Sequence, residues 1–349
     1  NALAFPVNES FTRLNWLSIN LIVLVTNKFF LAKEKPNLGI INLFLEKLGN
    51  PDLAPKFRTI VSGTCGKGTV CKSVEAYAIE NNISVVSLIS PHIHSVLERI
   101  TFNGNNISEE DFEYNLNKIK EVAKEVKMNP SYYEVIVLVG VLFAKEKKVD
   151  LLNCEIGLGG KYDGVNAIKG KRFCALTFIG DDHKEIIGPT LKDIAIEKSG
   201  IFTKESIYNV SYEKEFRDIL NKKGEIEYID FKAPEISNKL LAKKLIQKIL
   251  NKEEINEVDD VKLPCRFEKI GNIIFDGSGN FDDIMKTLNK LRSKELCITV
   301  ANNKCNVLGQ GVWTRNNHPN YRIQIADDIV FGSNLLDEVT QRLGKLKRE

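Results

Sequence analysis

Ser62-Gly63-Thr64-Cys65-Gly66-Lys67-Gly68-Thr69-Val70 is the stretch on which the reading of this chain turns. It follows an apolar run, residues 57–61, and opens a segment in which Val70, Val74, Tyr77 and Ala78 recur on one helical face. A strand, a glycine turn and a helix in that order form an anion cradle. The glycines let backbone N–H groups point inward, and the helix adds its positive N-terminal end. Gly63, Thr64, Gly66 and Gly68 would supply the backbone. Lys67 would bring a charge to the outer phosphates of the bound anion, and the Thr69 hydroxyl would sit on Mg²⁺. The spacing departs from the common P-loop, which has four residues before its Gly-Lys pair. Here only Thr64 and Cys65 separate Gly63 from Gly66.

Outward from the turn, apolar runs alternate with helical periodicities. Pro36 to Gly49 reads as a short amphipathic helix ending at Gly49-Asn50-Pro51. Residues 83–89, 149–154 and 173–179 read as buried strands. Helices fit the segment after Ser108, Tyr132 to Lys147, and the stretch that Thr190 and Asp193 would cap, ending near Lys198 and Gly200. This alternation predicts an α/β fold, a P-loop-type mostly parallel sheet flanked by helices, followed by a second, smaller α/β domain. Such sheets bind ligands beyond the carboxyl ends of their strands. Ser90-Pro91-His92, Glu155 and Asp181 to His183 fall there, beside the phosphate turn. His92 and His94 are read as loop or packing residues. The expected division is an N-terminal segment 1–35 with no legible motif, an ATP-binding domain 36–230, a charged linker 231–263 and a C-terminal domain 264–349.

The balance of 49 basic against 46 acidic residues, a formal charge of +3, argues against a nucleic-acid partner. Seven cysteines include no C-x-x-C pair, so neither a disulfide framework nor a zinc site is expected, and a reducing cytoplasm is. Leu17 to Val25 is apolar but too short to span a bilayer, so no membrane partner is expected.

Together these motifs resemble the folylpolyglutamate synthase and dihydrofolate synthase family of the Mur ligase superfamily. Gly49-Asn50-Pro51 and Gly63 to Thr69 are similar to its G-N-P lead-in and G-T-N-G-K-G-S turn. Ser90-Pro91-His92, Glu98-Arg99-Ile100 and Asn103-Gly104 resemble S-P-H and E-R-I-x-I-N-G. Tyr132-Tyr133-Glu134, Glu155 to Asn166, Asp182-His183, Gly188-Pro189-Thr190 and Glu197 to Ile201 continue the series in order. The likeness covers about residues 36 to 204 and thins beyond to Arg266-Phe267-Glu268 and Asp276 to Asn280.

The resemblance implies a ligase in which ATP phosphorylates a carboxylate of dihydropteroate or folate and the amine of L-glutamate displaces phosphate. Lys67 would hold phosphates. Thr69, Ser90 and Glu155 would serve a first Mg²⁺, and Glu155 with His183 a second. Lys198 would be the family's carbamylated lysine. It shares a helix face with Leu191, Ile194 and Ala195, and burial favours the neutral amine that carbamylation needs. Arg266 and Asp276 would reach ATP from the second domain. A monomer is expected. The alternatives are a nucleotide-binding relative without turnover and a ligase for another acid. The chain departs from the family pattern at Cys65, Lys161, Gly164, Val165 and Gly279.

Overall fold

The protein is described by a computed structural model covering residues 37–92, 95–180, 183–210, 214–222, 226–230 and 234–263, with short strands between 268 and 314. It divides into two units, Asn1–Val261 and Lys262–Glu349.

The first unit is built on one eight-stranded sheet. Its strands are β1 (Phe57–Ser62), β2 (Val85–Leu88), β3 (Ile100–Phe102), β4 (Asn105–Asn106), β5 (Leu151–Glu155), β6 (Arg172–Leu176), β7 (Ser206–Val210) and β8 (Ile226–Asp230). They lie in the order β4-β3-β2-β5-β1-β6-β7-β8. The six strands from β2 to β8 run parallel, while β3 and β4 form an antiparallel edge. Val61 lies opposite both Glu155 and Ala175, and Leu88 lies opposite Cys154. The carboxyl ends of β2, β5, β1 and β6 therefore share one edge, as the sequence predicts.

Both faces of this sheet are covered, which is why its strands read as continuous apolar runs rather than alternating ones. Side chains alternate between faces with period two. Ile60, Val86, Leu152, Cys154 and Cys174 join one core with α1 (Gly39–Lys47), α3 (Glu109–Val126) and α4 (Tyr132–Glu146). Val61, Val85, Leu151, Phe173 and Ala175 join the other with α2 (Lys67–Glu80) and α8 (Pro234–Leu250). A third cluster closes the β7 side with α6 (Leu191–Lys198) and α7 (Lys214–Asn221). The short α5 (Lys184–Ile187) precedes α6. Capping boxes start α4 (Ser131 with Glu134) and α6 (Thr190 with Asp193). Ser108 caps α3 through the Asp111 N–H.

The charged linker expected over 231–263 is corrected in two ways. Residues 234–250 are a helix whose Leu241, Ala242, Leu245, Ile246 and Ile249 are buried against α2 and the sheet. Its many lysines conceal that stripe in a composition count. Residues 251–261 belong to no helix or strand but are docked: Tyr77 Oη donates to Glu257 (2.8 Å), and the Asn256 N–H donates to Asn81 Oδ1 (2.9 Å). The Glu257 carboxylate also receives Lys243.

In the second unit the described strands form three antiparallel pairs. These are β9 (Glu268–Ile270) with β10 (Ile273–Phe275), β11 (Glu295–Leu296) with β14 (Trp313–Thr314), and β12 (Thr299–Ala301) with β13 (Val307–Gln310). The sequence also predicts a helix over 281–291 in this unit; it and the segment 1–35 lie outside the described residues. Among the described residues no helix is long and apolar enough to cross a membrane.

Candidate nucleotide site

The phosphate turn leaves β1 through Ser62, whose hydroxyl donates to Gly159 O at 2.8 Å. The loop after β6 then fixes it. The Thr64 N–H donates to Phe178 O (2.8 Å), and the Thr64 hydroxyl donates to Gly180 O (3.1 Å) while accepting from the Gly180 N–H (3.0 Å). Gly63 has φ +142°, and a Cβ there would overlap the Thr177 hydroxyl. That hydroxyl donates to Cys65 O at 2.6 Å. Position 65 is thus held through its carbonyl, which any residue carries, so a thiol in place of the family's Asn leaves the turn's hold on β6 intact.

Gly66 caps α2 in a left-handed conformation and offers no side-chain cap. The first-turn N–H groups of α2 therefore have no side-chain acceptor at the cap, which suits an anion. Lys67 begins that helix and folds its amine onto Gly63 O (3.0 Å). The Lys198 amine, 1% exposed at the end of α6, donates to the same carbonyl at 3.0 Å. The structure thus brings two lysines, 131 positions apart in sequence, to one atom of the turn (198 minus 67). The burial expected of Lys198 from its helix face is observed.

Glu155 ends β5 and is 4% exposed. Its Oε2 accepts the Ser90 N–H at 2.8 Å, across the gap between β2 and β5. Its main-chain O accepts the Tyr133 hydroxyl at 2.7 Å. Ser90 and Glu155 are therefore adjacent. The segment beyond Glu155 is shaped by Asp163, whose carboxylate accepts the N–H groups of Gly157 (3.0 Å), Leu158 (2.9 Å) and Val165 (2.9 Å). Burial pushes this carboxyl up to about 7, against the opposing pull of those three amides and of the Lys67 charge. Lys161 is tied to Glu197 through its main chain, its N–H donating to Glu197 O at 3.0 Å, so the Arg-to-Lys departure leaves that tie unchanged.

His183 sits exposed before α5, in the left-handed region at φ 37°. Among the described residues no three His, Cys, Asp or Glu side chains form a metal cluster. A hard cation bridging phosphates needs only one or two carboxylates and hydroxyls from the protein. Glu155, beside Ser90, has the oxygen chemistry for that ion. Arg266, Asp276, Asp181, Asp182 and His94 lie outside the described residues.

Two features escaped the sequence reading. Asn238 on α8 is 9% exposed, and its carboxamide lies where a Cβ on Gly66 would stand, 2.7 Å from Nδ2. It was hidden because α8 was read as linker. His92, read as a packing residue, accepts a hydrogen bond at Nδ1 from Arg99 Nε (2.7 Å). Burial, and secondarily the Arg99 charge, lower its imidazole to about 4.

An Arabidopsis thaliana folylpolyglutamate synthase is 37% identical over 146 residues, 41% of this chain and 26% of that protein. Escherichia coli FolC in complex with DHPP and ADP superposes with a TM-score of 0.68 at 22% identity, covering 82% of this chain and 76% of that one. A bifunctional folylpolyglutamate synthase/dihydrofolate synthase with Mn, AMPPNP and L-glutamate bound gives 0.66 at 20% identity, covering 83% and 76%. The likeness is to folylpolyglutamate synthases. No family model matches the chain. The aligned stretch spans less than half the length of the curated folylpolyglutamate synthase relatives, 26% to 42% of the first three. The fold is that of the solved folylpolyglutamate synthase structures, a mixed sheet flanked by helices.

Proposed function

We propose that this chain is an ATP-dependent amide ligase that joins L-glutamate to the carboxylate of dihydropteroate or a folate, forming ADP and phosphate. The observation that carries this reading is the convergence on one sheet edge of the phosphate turn, two lysine amines on Gly63 O, and a buried Glu155 braced by Ser90. Phosphoryl transfer is mostly positioning and charge neutralisation, which a rigid edge of this kind supplies. The E. coli relative bound to DHPP and ADP, and the relative bound to Mn, AMPPNP and L-glutamate, supply the substrate class.

In this reading Gly63, Thr64, Gly66, Gly68 and Thr69 cradle the phosphates. Lys67 swings from the loop carbonyls to the outer phosphates. Asn238 approaches the nucleotide from α8. Thr69, Ser90 and Glu155 would hold Mg²⁺, whose charge would offset that of the phosphates, and Glu155 with His183 would serve a second ion. Lys198, as the free amine or carbamylated, orders the turn from beneath. The seven scattered cysteines favour a reducing, cytoplasmic setting, and the protein acts as a monomer.

The test is phosphate release from ATP with Mg²⁺, L-glutamate and dihydropteroate or tetrahydrofolate. Release that requires both the acid and glutamate is expected; no release with any pteroate or folate would overturn the reading. Lys67→Ala should reduce turnover at least 100-fold with an unchanged circular-dichroism spectrum, in the range seen when one transition-state donor is removed (roughly 10²–10³). A mass increment of one carboxyl group on Lys198 in protein prepared with bicarbonate would identify the carbamate.

A further inference from the structure

Arg99 occupies an unusual place. It stands at the end of a short turn, Val96–Arg99, started by a capping box between Ser95 and Glu98. The Glu98 carboxylate closes that box by accepting the Ser95 N–H at 2.8 Å, so Glu98 serves the backbone. The Arg99 guanidinium points two ways. Its Nε donates to His92 Nδ1 at 2.7 Å, and its plane lies over the Tyr132 ring, 5.5 Å from the centroid. A guanidinium only donates. His92 therefore presents a lone pair at Nδ1 and carries its proton on Nε2.

Both partners of Arg99 lead to Glu155. His92 ends the Ser90-Pro91-His92 segment, and the Ser90 N–H is bonded to Glu155 Oε2. Tyr132 directly precedes Tyr133, whose hydroxyl holds the Glu155 carbonyl. The Tyr133 ring lies against Gly157, where a Cβ would meet it at 2.8 Å. One side chain thus ties together the two segments that hold Glu155, one at its carboxylate and one at its main-chain carbonyl. We propose that Arg99, acting through His92 and Tyr132, is a positioning residue that holds Ser90 and Glu155 in register for the cation–phosphate complex. The inference builds on the ligase reading of this site, but its central measurement is metal binding rather than turnover.

The obvious variants separate by geometry. Asn places its Oδ1 close to where Nδ1 of a histidine lies, so His92→Asn keeps the acceptor for Arg99. His92→Leu and Arg99→Met remove the bond. Outer partners of metal ligands are worth about 10- to 100-fold in metal affinity. Mn²⁺ affinity in the presence of saturating AMPPNP, read by electron paramagnetic resonance, is expected to fall at least tenfold in His92→Leu and Arg99→Met. In His92→Asn it should stay within about threefold of the wild type on the same scale. Wild-type affinity in His92→Leu overturns the proposal, as does an equal loss in His92→Asn and His92→Leu. A wild-type measurement stands clear of folding defects: ¹⁵N-resolved imidazole spectra should show His92 Nδ1 unprotonated, and a proton on Nδ1 overturns it. If the wild type releases no phosphate with any acid while the Mn²⁺ pattern holds, the clamp stands and the ligase reading falls.

Discussion

At the scale of single residues, Gly63 and Asp163 carry the sharpest consequences. Gly63 has no room for a Cβ and a φ that L side chains rarely adopt. Gly63→Ala must displace Thr177 and with it the bond to Cys65 O. It should weaken AMPPNP binding at least tenfold by isothermal titration; an unchanged affinity would show that the turn tolerates rebuilding. Asp163 is a test by pH. The folded chain holds its carboxyl up to about 7, whereas the unfolded chain holds it near about 4. Between those values the folded state binds the extra proton. The stability contributed at this site is full below the lower value and is lost as pH rises through the upper one. Asp163→Asn cannot titrate there. Urea unfolding of both proteins at fixed ionic strength should therefore show the wild type losing stability relative to the variant from pH 4.5 to pH 8. A flat difference would mean that the three amides overcome burial. Residues of this kind are legible only in part: Lys198 was readable because a lysine among Leu191, Ile194 and Ala195 has nowhere else to go. Arg99 was not, because its partners lie in segments that only folding brings together.

At the scale of elements, α8 explains both what composition reveals and what it hides. Strands β1, β2, β5 and β6 could be located because a parallel strand covered on both faces is apolar at every position. The β3–β4 edge, of three and two residues, is too short to show a period. Helix α8 has the period but is diluted by lysines on its outer face, so a window average reads it as linker. Its inner stripe remains fully packed, with Leu241 and Leu245 both 0% exposed. Leu245→Ala should cost about 2–5 kcal/mol, the range for emptying a buried leucine site, measured by chemical denaturation. A loss below half a kilocalorie would contradict docking of α8 on α2. The same helix presents Asn238 to Gly66. In the ligase reading Asn238→Ala should raise KM for ATP several-fold while leaving the thermal midpoint within a degree or two. A matched fall in midpoint would make Asn238 a packing residue instead.

At the scale of the whole molecule, the candidate site draws on β1, β2, β5, β6, α2, α6 and α8, so in the ligase reading ligand binding should be felt by the first unit as a whole. A ligand that binds only the folded state stabilises it by about 2.7 kcal/mol at a hundredfold excess over Kd. In the ligase reading, nucleotide alone would meet the glycine turn and Lys67, whereas nucleotide with a divalent cation would also engage Glu155 and Ser90. AMPPNP with Mg²⁺ should therefore raise the thermal midpoint by several degrees, AMPPNP with EDTA by less, and neither should move Lys67→Ala comparably. The order of the three shifts matters more than their size. Equal shifts with and without the cation would separate Glu155 from the nucleotide and return it to a structural role at the end of β5. A full shift in Lys67→Ala would place the nucleotide away from the turn between β1 and α2. The docked segment 251–261 gives the experiment a second readout. Tyr77 and Asn81 lie on and just beyond the far end of the helix that Lys67 begins, and both are bonded to that segment. Hydrogen exchange at Asn256, whose N–H is bonded to Asn81 Oδ1, should slow when nucleotide and cation bind, because ordering the head of α2 stabilises the helix along its length. Unchanged exchange at Asn256 alongside a raised midpoint would confine the effect to the sheet edge.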